Sequence, residues 1–361
     1  MKKLTLFVVF VVVLLTISAC SQPPRIPPGP TPTPQPTPTP QPIPQNPLVK
    51  ELPITQRTFF IGVAGYVPKN FPNSQASDWQ DLFNSYSTYG ELMGVHSAWN
   101  DKQDAEGIPQ NVNMAYQIKG VTPYIAIGFE PDTLSQAQAD SYMQTNGDAF
   151  KKTAVAIAKK YKPGVLILGV ESNRYYEKSP SGYEDFVRVY KEAYDEIKAV
   201  SPNTKVATNF QLDYMRGAGK LSGRTHNAHF DVIGKFGDKL DLITVTAYPF
   251  FDYGSPSEIP DNYLSEISQY SSKPIMITEM GWPTEGTRVG ISSEQAQVDF
   301  LKRLLQLSKT VNTYGLVWLH PHDAKLGVAG GLFDSLSLKK NDDTPKKAWE
   351  YWQALKSMPK S

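Results

Sequence analysis

The stretch Val165-Leu166-Ile167-Leu168-Gly169-Val170-Glu171 decides the fold class, because an unbroken apolar run ends directly in a carboxylate. Apolar runs of this length that do not alternate with polar residues are typical of strands buried on both faces of a sheet. Seven further runs share this character. They cover residues 59–63, 92–95, 121–127, 205–208, 242–246, 275–278 and 315–318.

Helical segments separate these runs. Residues 183–200 and 294–307 both carry apolar side chains at intervals of three to four, the spacing of an amphipathic helix. Strands that alternate with helices predict a parallel sheet joined by crossovers. Eight such strands predict an α/β protein with a (β/α)8 TIM barrel, and a doubly wound open sheet is the alternative. The sequence has no GxGxxG and no GxxxxGK[ST] motif, so nothing marks a nucleotide site.

The N-terminus predicts export. Lys2 and Lys3 precede an apolar run over residues 4–15, and small residues follow before Cys20. The run is shorter than the roughly 20 residues that a membrane-spanning helix requires. Ile17-Ser18-Ala19-Cys20 resembles the bacterial lipobox, in which the cysteine is lipidated. We therefore predict a lipoprotein signal peptide over residues 1–20. An ordinary signal peptide with an incidental cysteine is the alternative.

A proline-rich segment follows the predicted anchor. Residues 21–50 are rich in Pro, Thr and Gln, a composition that has no apolar surface to bury and favours polyproline II. We predict a disordered tether there and a single catalytic domain over residues 51–361. Cys20 is the only cysteine, so the domain cannot contain a disulfide. The expected location is outside the cell, lipid-anchored to the outer membrane or the cell surface.

The charge balance excludes one class of partner. The formal net charge is +1 and Lys and Arg form no cluster, whereas nucleic-acid binding requires a concentrated basic surface. The 19 Tyr, 16 Phe and 6 Trp suit both a large core and the stacking of rings against sugars. We expect a monomer that binds a polysaccharide or oligosaccharide, with no cofactor and no metal.

Two of the predicted strands end in glutamate. Glu171 follows the fourth, and Glu279 follows the seventh. In a TIM barrel the chemistry lies at the carboxyl ends of the strands. A carboxylate after an apolar run is costly to desolvate unless it is paired or used. Hydrolysis of a glycosidic bond needs two carboxyl groups, one protonated and one ionised. The pair therefore favours a glycosidase.

Three motifs carry a resemblance to clan A of the glycoside hydrolases. Thr278-Glu279-Met280-Gly281-Trp282-Pro283 is similar to the clan's nucleophile segment, and residues 241–250 are similar to its sixth strand. Trp318 matches the aromatic residue that floors the sugar site. The resemblance runs from about residue 59 to residue 355 and is nearest to the arabinogalactan endo-β-1,4-galactanases. It implies a (β/α)8 barrel that cleaves β-glycosidic bonds.

The resemblance also implies roles for single residues. Glu171 would be the general acid/base and Glu279 the nucleophile of a retaining mechanism. Tyr248 would hydrogen-bond the nucleophile. The clan usually has Asn directly before the acid/base, and this chain has Val170 there. This departure leaves open a non-catalytic barrel that binds glycans.

Further substrate-binding residues are predicted from their positions beside the strand ends. His96 and Trp99 follow the second predicted strand, although packing of Trp99 beneath the loop is an equal alternative. The amides of Asn173 and Asn209 are candidates to replace the missing Asn. The remaining candidates are Trp282, Trp318 and His320.

Two histidine groups are candidate metal ligands. Pro321 separates His320 from His322, with Asp323 next, and it restricts how the two rings converge. We interpret these as sugar-binding or loop residues. His226 and His229 lie three apart in a predicted loop-to-helix segment, where we expect a structural or exposed role. A metal-dependent barrel enzyme is the remaining alternative.

Overall fold

A computed structural model describes residues 46–217, 226–287 and 290–361. The predicted signal peptide, the lipidation site Cys20 and the tether as far as residue 45 lie outside the described residues. Within the described ranges, no helix combines the length and the apolar character needed to cross a membrane.

The described residues form one sheet of nine strands, and every paired neighbour runs parallel. The strands are β1 (Phe60–Ala64), β2 (Leu92–Ala98), β3 (Thr122–Gly128), β4 (Val165–Leu168), β5 (Lys205–Ala207), β6 (Asn209–Gln211), β7 (Ile243–Ala247), β8 (Ile275–Met280) and β9 (Thr313–Leu319). Their order is β5-β4-β3-β2-β1-β9-β8-β7-β6. Because β5 and β6 follow each other in the chain, the two ends of this sheet meet and the barrel is nearly closed. The (β/α)8 barrel is confirmed, and the open sheet is wrong.

The predicted fifth strand is divided between the two ends of the sheet. β5 pairs with β4, and β6 pairs with β7. Thr208 separates them, and its hydroxyl donates to the side chain of Ser172 at 3.1 Å. The chain therefore changes partners at Thr208, and the predicted strands six, seven and eight are β7, β8 and β9.

Helices pack around the barrel and connect its strands. Within the described residues the α-helices are α1 (Ala76–Tyr89), α2 (Gln110–Ala115), α3 (Gln136–Tyr161), α4 (Ser172–Lys178), α5 (Pro180–Val200), α6 (Leu212–Met215), α7 (Glu294–Ser308) and α8 (Lys347–Ser357). The two helices predicted from periodicity are α5 and α7. Ser179 begins α5 by accepting a hydrogen bond from the amide of Gly182, with Pro180 at the first helical position, where a missing amide hydrogen costs nothing.

Two strand ends differ from the sequence prediction, and both differences position a glutamate. β4 ends at Leu168 because Gly169 adopts a φ of 84°, which turns the chain out of the sheet before Glu171. β8 extends through Glu279 to Met280. Its register against β7 shifts between Ile277 and Glu279, so Thr278 has no register partner on β7. Such a bulge re-aims the side chains that follow it.

Candidate active site

Glu171 lies in the turn between β4 and α4. Its φ of 49° is in the left-handed region, and its amide donates to Oδ1 of Asn209 at 3.1 Å. This backbone conformation is uncommon for a residue with a side chain, and such residues cluster at functional sites. The carboxylate accepts from the hydroxyl of Thr246 at 2.8 Å and from Nη1 of Arg174 at 3.0 Å.

The environment of Glu171 favours its protonated form. Burial, followed by the negative charge of Glu279, raises the pKa of Glu171 to about 8, although the hydrogen bond from Thr246 opposes the rise. A carboxyl group with this pKa keeps its proton at neutral pH and can donate it to a leaving group.

Glu279 faces hydrogen-bond donors instead. Nδ1 of His96 lies 2.5 Å from its Oε1, and the hydroxyl of Tyr248 donates to its Oε2. Burial by itself would raise the pKa of Glu279. The positive charge and hydrogen bond of His96 and the hydrogen bond of Tyr248 outweigh it, so this pKa lies below its ordinary value. The pKa of Glu171 is thus raised and the pKa of Glu279 is lowered. Enzymes use such opposite shifts to keep one carboxyl group protonated as an acid and the other ionised as a nucleophile.

A second layer holds the partners of Glu279 in place. Tyr124 donates its hydroxyl to the carbonyl of Thr278 at 2.6 Å and lies 3.3 Å from Nε2 of His96. On the other side, the backbone amide of Tyr248 donates to Asp213 at 2.7 Å. Neither Tyr124 nor Asp213 was predicted from the sequence as a site residue. A tyrosine inside a buried apolar run was an available signal, because a buried hydroxyl requires a partner.

His320 also lies at this end of the barrel. Its φ is 61°, and its amide donates to the carbonyl of Ala64 at 2.9 Å. Burial lowers the pKa of His320 to about 4, against the opposing charge of Glu279, so the ring is neutral at neutral pH. Gly65 makes room for it, since a Cβ at that position would lie 2.7 Å from Cδ2 of His320. The structure therefore groups His320 with His96 and Glu279.

The three predicted tryptophans pack within the protein. Trp99 is 8% exposed, its Nε1 donates to Tyr142, and packing beneath the loop is therefore the alternative that the structure favours. Trp282 is fully buried and donates to Ser292. Trp318 is fully buried too. The prediction that these rings face a sugar is wrong, because their faces and polar atoms are already used by the core.

The two candidate asparagines are also engaged by the protein. Asn173 exchanges hydrogen bonds with the backbone of Gln211, at 3.0 Å from its Nδ2 and 2.8 Å to its Oδ1. Asn209 donates to the hydroxyl of Thr278 at 2.8 Å and accepts from the amide of Glu171. Both side chains are buried, so the prediction that they bind sugar is corrected. Asn209 instead links the segments that carry the two glutamates.

The histidines after β9 do not form a ligand set. His322 contacts the carbonyl of Val67 at 2.9 Å through Nδ1 and Asp343 at 2.8 Å through Nε2. Asp323 pairs with Lys346 at 2.6 Å. Elsewhere among the described residues, the side chains of Glu177, His226 and His229 do lie close enough together to share a metal ion.

Comparison with known proteins agrees with this geometry. The sequence model of glycosyl hydrolase family 53 matches residues 151–327, just under half of the chain. This segment contains both Glu171 and Glu279. No curated protein sequence matches the chain.

Solved structures show the same fold at low sequence identity. The catalytic domain of a family 53 glycoside hydrolase from Ignisphaera aggregans superposes with a TM-score of 0.54 at 17% identity, covering 84% of this chain and 98% of that one. An exo-β-1,4-mannosidase from an Opitutaceae bacterium superposes with a TM-score of 0.60 at 14% identity, covering 82% of this chain and 59% of that one. A β-glucuronidase from Bifidobacterium dentium superposes with a TM-score of 0.54 at 14% identity, covering 82% of this chain and 46% of that one. The chain thus spans about half the length of these last two proteins. The family match and the barrel together show that the chain is similar to glycosyl hydrolase family 53 over the segment that carries both glutamates.

Proposed function

We propose that the domain is a retaining β-glycosidase in which Glu279 is the nucleophile and Glu171 the general acid/base. The observation that carries the proposal is the opposite effect of one site on its two carboxyl groups. Donors from His96 and Tyr248 favour the ionised form of Glu279, and burial beside that charge favours the protonated form of Glu171. A retaining mechanism needs both forms at once.

In the first step, Glu279 attacks the anomeric carbon of the sugar while Glu171 transfers its proton to the glycosidic oxygen. The bond between that carbon and that oxygen breaks, and a glycosyl ester forms on Glu279. Glu171 becomes an anion in this step. Nη1 of Arg174 and the hydroxyl of Thr246 stand at 3.0 and 2.8 Å to stabilise it.

In the second step, Glu171 acts as a base. Its carboxylate removes a proton from water, whose oxygen attacks the anomeric carbon and releases Glu279. The anomeric configuration is inverted twice and therefore retained. His96 and Tyr248 assist here by stabilising the carboxylate that leaves.

We propose a β-1,4-linked galactan of the arabinogalactan type as the substrate, cleaved at internal bonds. Support comes from the family 53 match and from the resemblance of residues 59–355, taken as a whole, to the arabinogalactan endo-β-1,4-galactanases. Incubation of the full chain with a panel of β-linked polysaccharides tests the substrate, with the reducing ends and product lengths measured. Saturable binding without release of reducing ends would instead favour a non-catalytic glycan-binding barrel.

The test of mechanism is Glu279→Ala with azide. We expect turnover to fall by several orders of magnitude and azide to restore it with formation of a glycosyl azide of inverted configuration. Glu106→Ala is the control, because Glu106 lies in an exposed ion pair with Lys160 and should leave turnover unchanged. Near-normal hydrolysis by Glu279→Ala would contradict the assignment.

We also propose that Cys20 carries lipid and that residues 21–50 hold the barrel away from the membrane. The signal-like sequence before Cys20 supports this. An exported chain partitions into a detergent phase when it is lipidated. Cys20→Ser should move the chain to the aqueous phase while its catalytic activity persists, and unchanged partitioning would exclude the anchor.

A further inference from the structure

A group of three side chains outside the glutamate pair has the form of a metal site. Glu177 is on α4, six residues after Glu171. His226 and His229 lie in the segment that leads into a 3-10 helix, Phe230–Phe236. Oε1 of Glu177 lies 3.3 Å from Nε2 of His226 and 3.7 Å from Nε2 of His229. A possible ligand atom from each residue lies within 4.8 Å of the others.

The hydrogen bonding of this group is incomplete. Both Nε2 atoms are buried, and within the described residues neither has a hydrogen-bond partner. The distances to Glu177 are therefore ion-pair contacts that lack hydrogen-bond geometry. A buried polar atom without a partner has lost its hydration and gained no hydrogen bond in return, so such an atom calls for an explanation.

The other nitrogen of His226 fixes its tautomer. Nδ1 lies 2.9 Å from the backbone carbonyl of Asn227. Because a carbonyl oxygen only accepts, Nδ1 carries the hydrogen, and in the neutral ring Nε2 then presents a lone pair. That lone pair faces the carboxylate oxygen of Glu177, and two acceptors this close repel each other unless a cation lies between them. Metal-bound histidines commonly donate their other N–H to a backbone carbonyl in this way.

His229 is the third member of the group, and it is also largely shielded from solvent. Its side chain is 11% exposed. The rings of Tyr214 and Tyr176 lie 6.5 and 6.0 Å from the ring of His229, which shields this side from solvent.

From this geometry we propose that Glu177, His226 and His229 bind a divalent transition-metal ion of the Zn²⁺ type. Two imidazole nitrogens and one carboxylate oxygen form a donor set that zinc accepts, and ligand atoms on a tetrahedral zinc ion lie roughly 3.4 Å apart. A fourth position remains for water or a hydroxyl group. The ion would tie the segment before the 3-10 helix to α4, the helix whose Arg174 contacts Glu171.

The experiment titrates Zn²⁺ alone into the full chain, prepared without a histidine tag and stripped with a chelator. Calorimetry gives the stoichiometry and affinity, and the melting temperature is followed in parallel. We expect one ion per chain and a higher melting temperature, because an ion that binds only the folded state stabilises it. Co²⁺ should give the visible absorption of a tetrahedral site.

Variants locate the ion. His226→Ala, His229→Ala and Glu177→Gln should each weaken binding at least roughly tenfold. Glu184→Gln is the matched control, because Glu184 pairs with Lys235 and should not affect affinity. The absence of Zn²⁺ binding by the wild-type chain would overturn the proposal and leave a simple ion pair. Binding that survives His226→Ala combined with His229→Ala would overturn it too. The wild-type titration decides even if a variant fails to fold, and none of these measurements depends on hydrolysis.

Discussion

Nδ1 of His96 lies 2.5 Å from Oε1 of Glu279. On its other side, Nε2 of His96 lies 3.3 Å from the hydroxyl of Tyr124, which donates its own hydrogen to the carbonyl of Thr278. The hydroxyl can therefore only accept from His96, and the carboxylate can only accept as well. Both ring nitrogens of His96 consequently point at acceptors, and one of these acceptors is the proposed nucleophile.

His96→Gln removes the electrostatic and hydrogen-bond contributions of His96 that lower the pKa of Glu279, so this pKa should rise. Because the proposed mechanism requires ionised Glu279, the acidic limb of the kcat/KM profile should move to higher pH. At pH values on the acidic side of the profile, we expect kcat/KM to fall by roughly 10²-fold, the effect of removing one preorganised donor. The pH profile of kcat/KM measures both effects. An acidic limb that stays in place would show that His96 does not set the pKa of Glu279.

The alkaline limb tests Glu171. Its pKa of about 8 predicts that activity falls as pH rises through 8, because the acid then loses its proton. Thr246→Val removes a hydrogen bond that lowers this pKa, so the limb should move to higher pH. Thr244→Val, two residues earlier on β7, removes a hydroxyl that donates to the carbonyl of Thr208, and it should leave the limb unchanged. Equal shifts in the two variants would contradict the assignment.

Asn209→Ala tests the link between the two glutamate segments. It leaves the amide of Glu171 and the hydroxyl of Thr278 without their partner, which should lower the free energy of unfolding by about 1–3 kcal/mol. We expect kcat to fall while KM changes little, because Asn209 is buried and positions the glutamates. Chemical denaturation and steady-state kinetics measure these quantities. A raised KM with an unchanged kcat would show that Asn209 binds the sugar directly.

Gly65→Ala separates backbone strain from the placement of His320. Gly65 has a φ of 88°, and a Cβ there would lie 2.7 Å from the His320 ring. Gly107→Ala is a matched control, since Gly107 has a φ of 80° and nothing within 4 Å of the added Cβ. Both variants should lose about 1 kcal/mol of stability from strain. Only Gly65→Ala should lose activity, and comparable activities would contradict a role for His320.

Sequence patterns predicted the barrel because a strand that is buried on both faces consists of consecutive apolar residues. They predicted the glutamates for a similar reason, since a carboxylate at the end of such a run is conspicuous. The same patterns failed for Trp99, Trp282 and Trp318, because an aromatic residue near a strand end looks alike whether it packs or faces solvent. Their burial depends on Tyr142, Ser292 and other residues distant in sequence.

The prediction that the amides of Asn173 and Asn209 bind sugar failed for a related reason. Their partners, Gln211 and Thr278, lie 38 and 69 residues away, and no local signal announces them. Tyr124 and Asp213 were missed because each acts through another residue. Convergence of Glu177 with His226 and His229 likewise joins α4 to a segment about 50 residues later.

The sequence by itself determined the class of this protein: an eight-stranded parallel barrel with two glutamates at strand ends, since periodicity and burial are local properties of a chain. Only the tertiary structure decided what surrounds each glutamate. The turn at Gly169 and the bulge at Thr278 aim the two carboxylates, and His96 and Tyr248 reach Glu279 from different strand ends. The pKa of a carboxyl group depends on charges and donors within a few ångströms, and the fold alone brings those together.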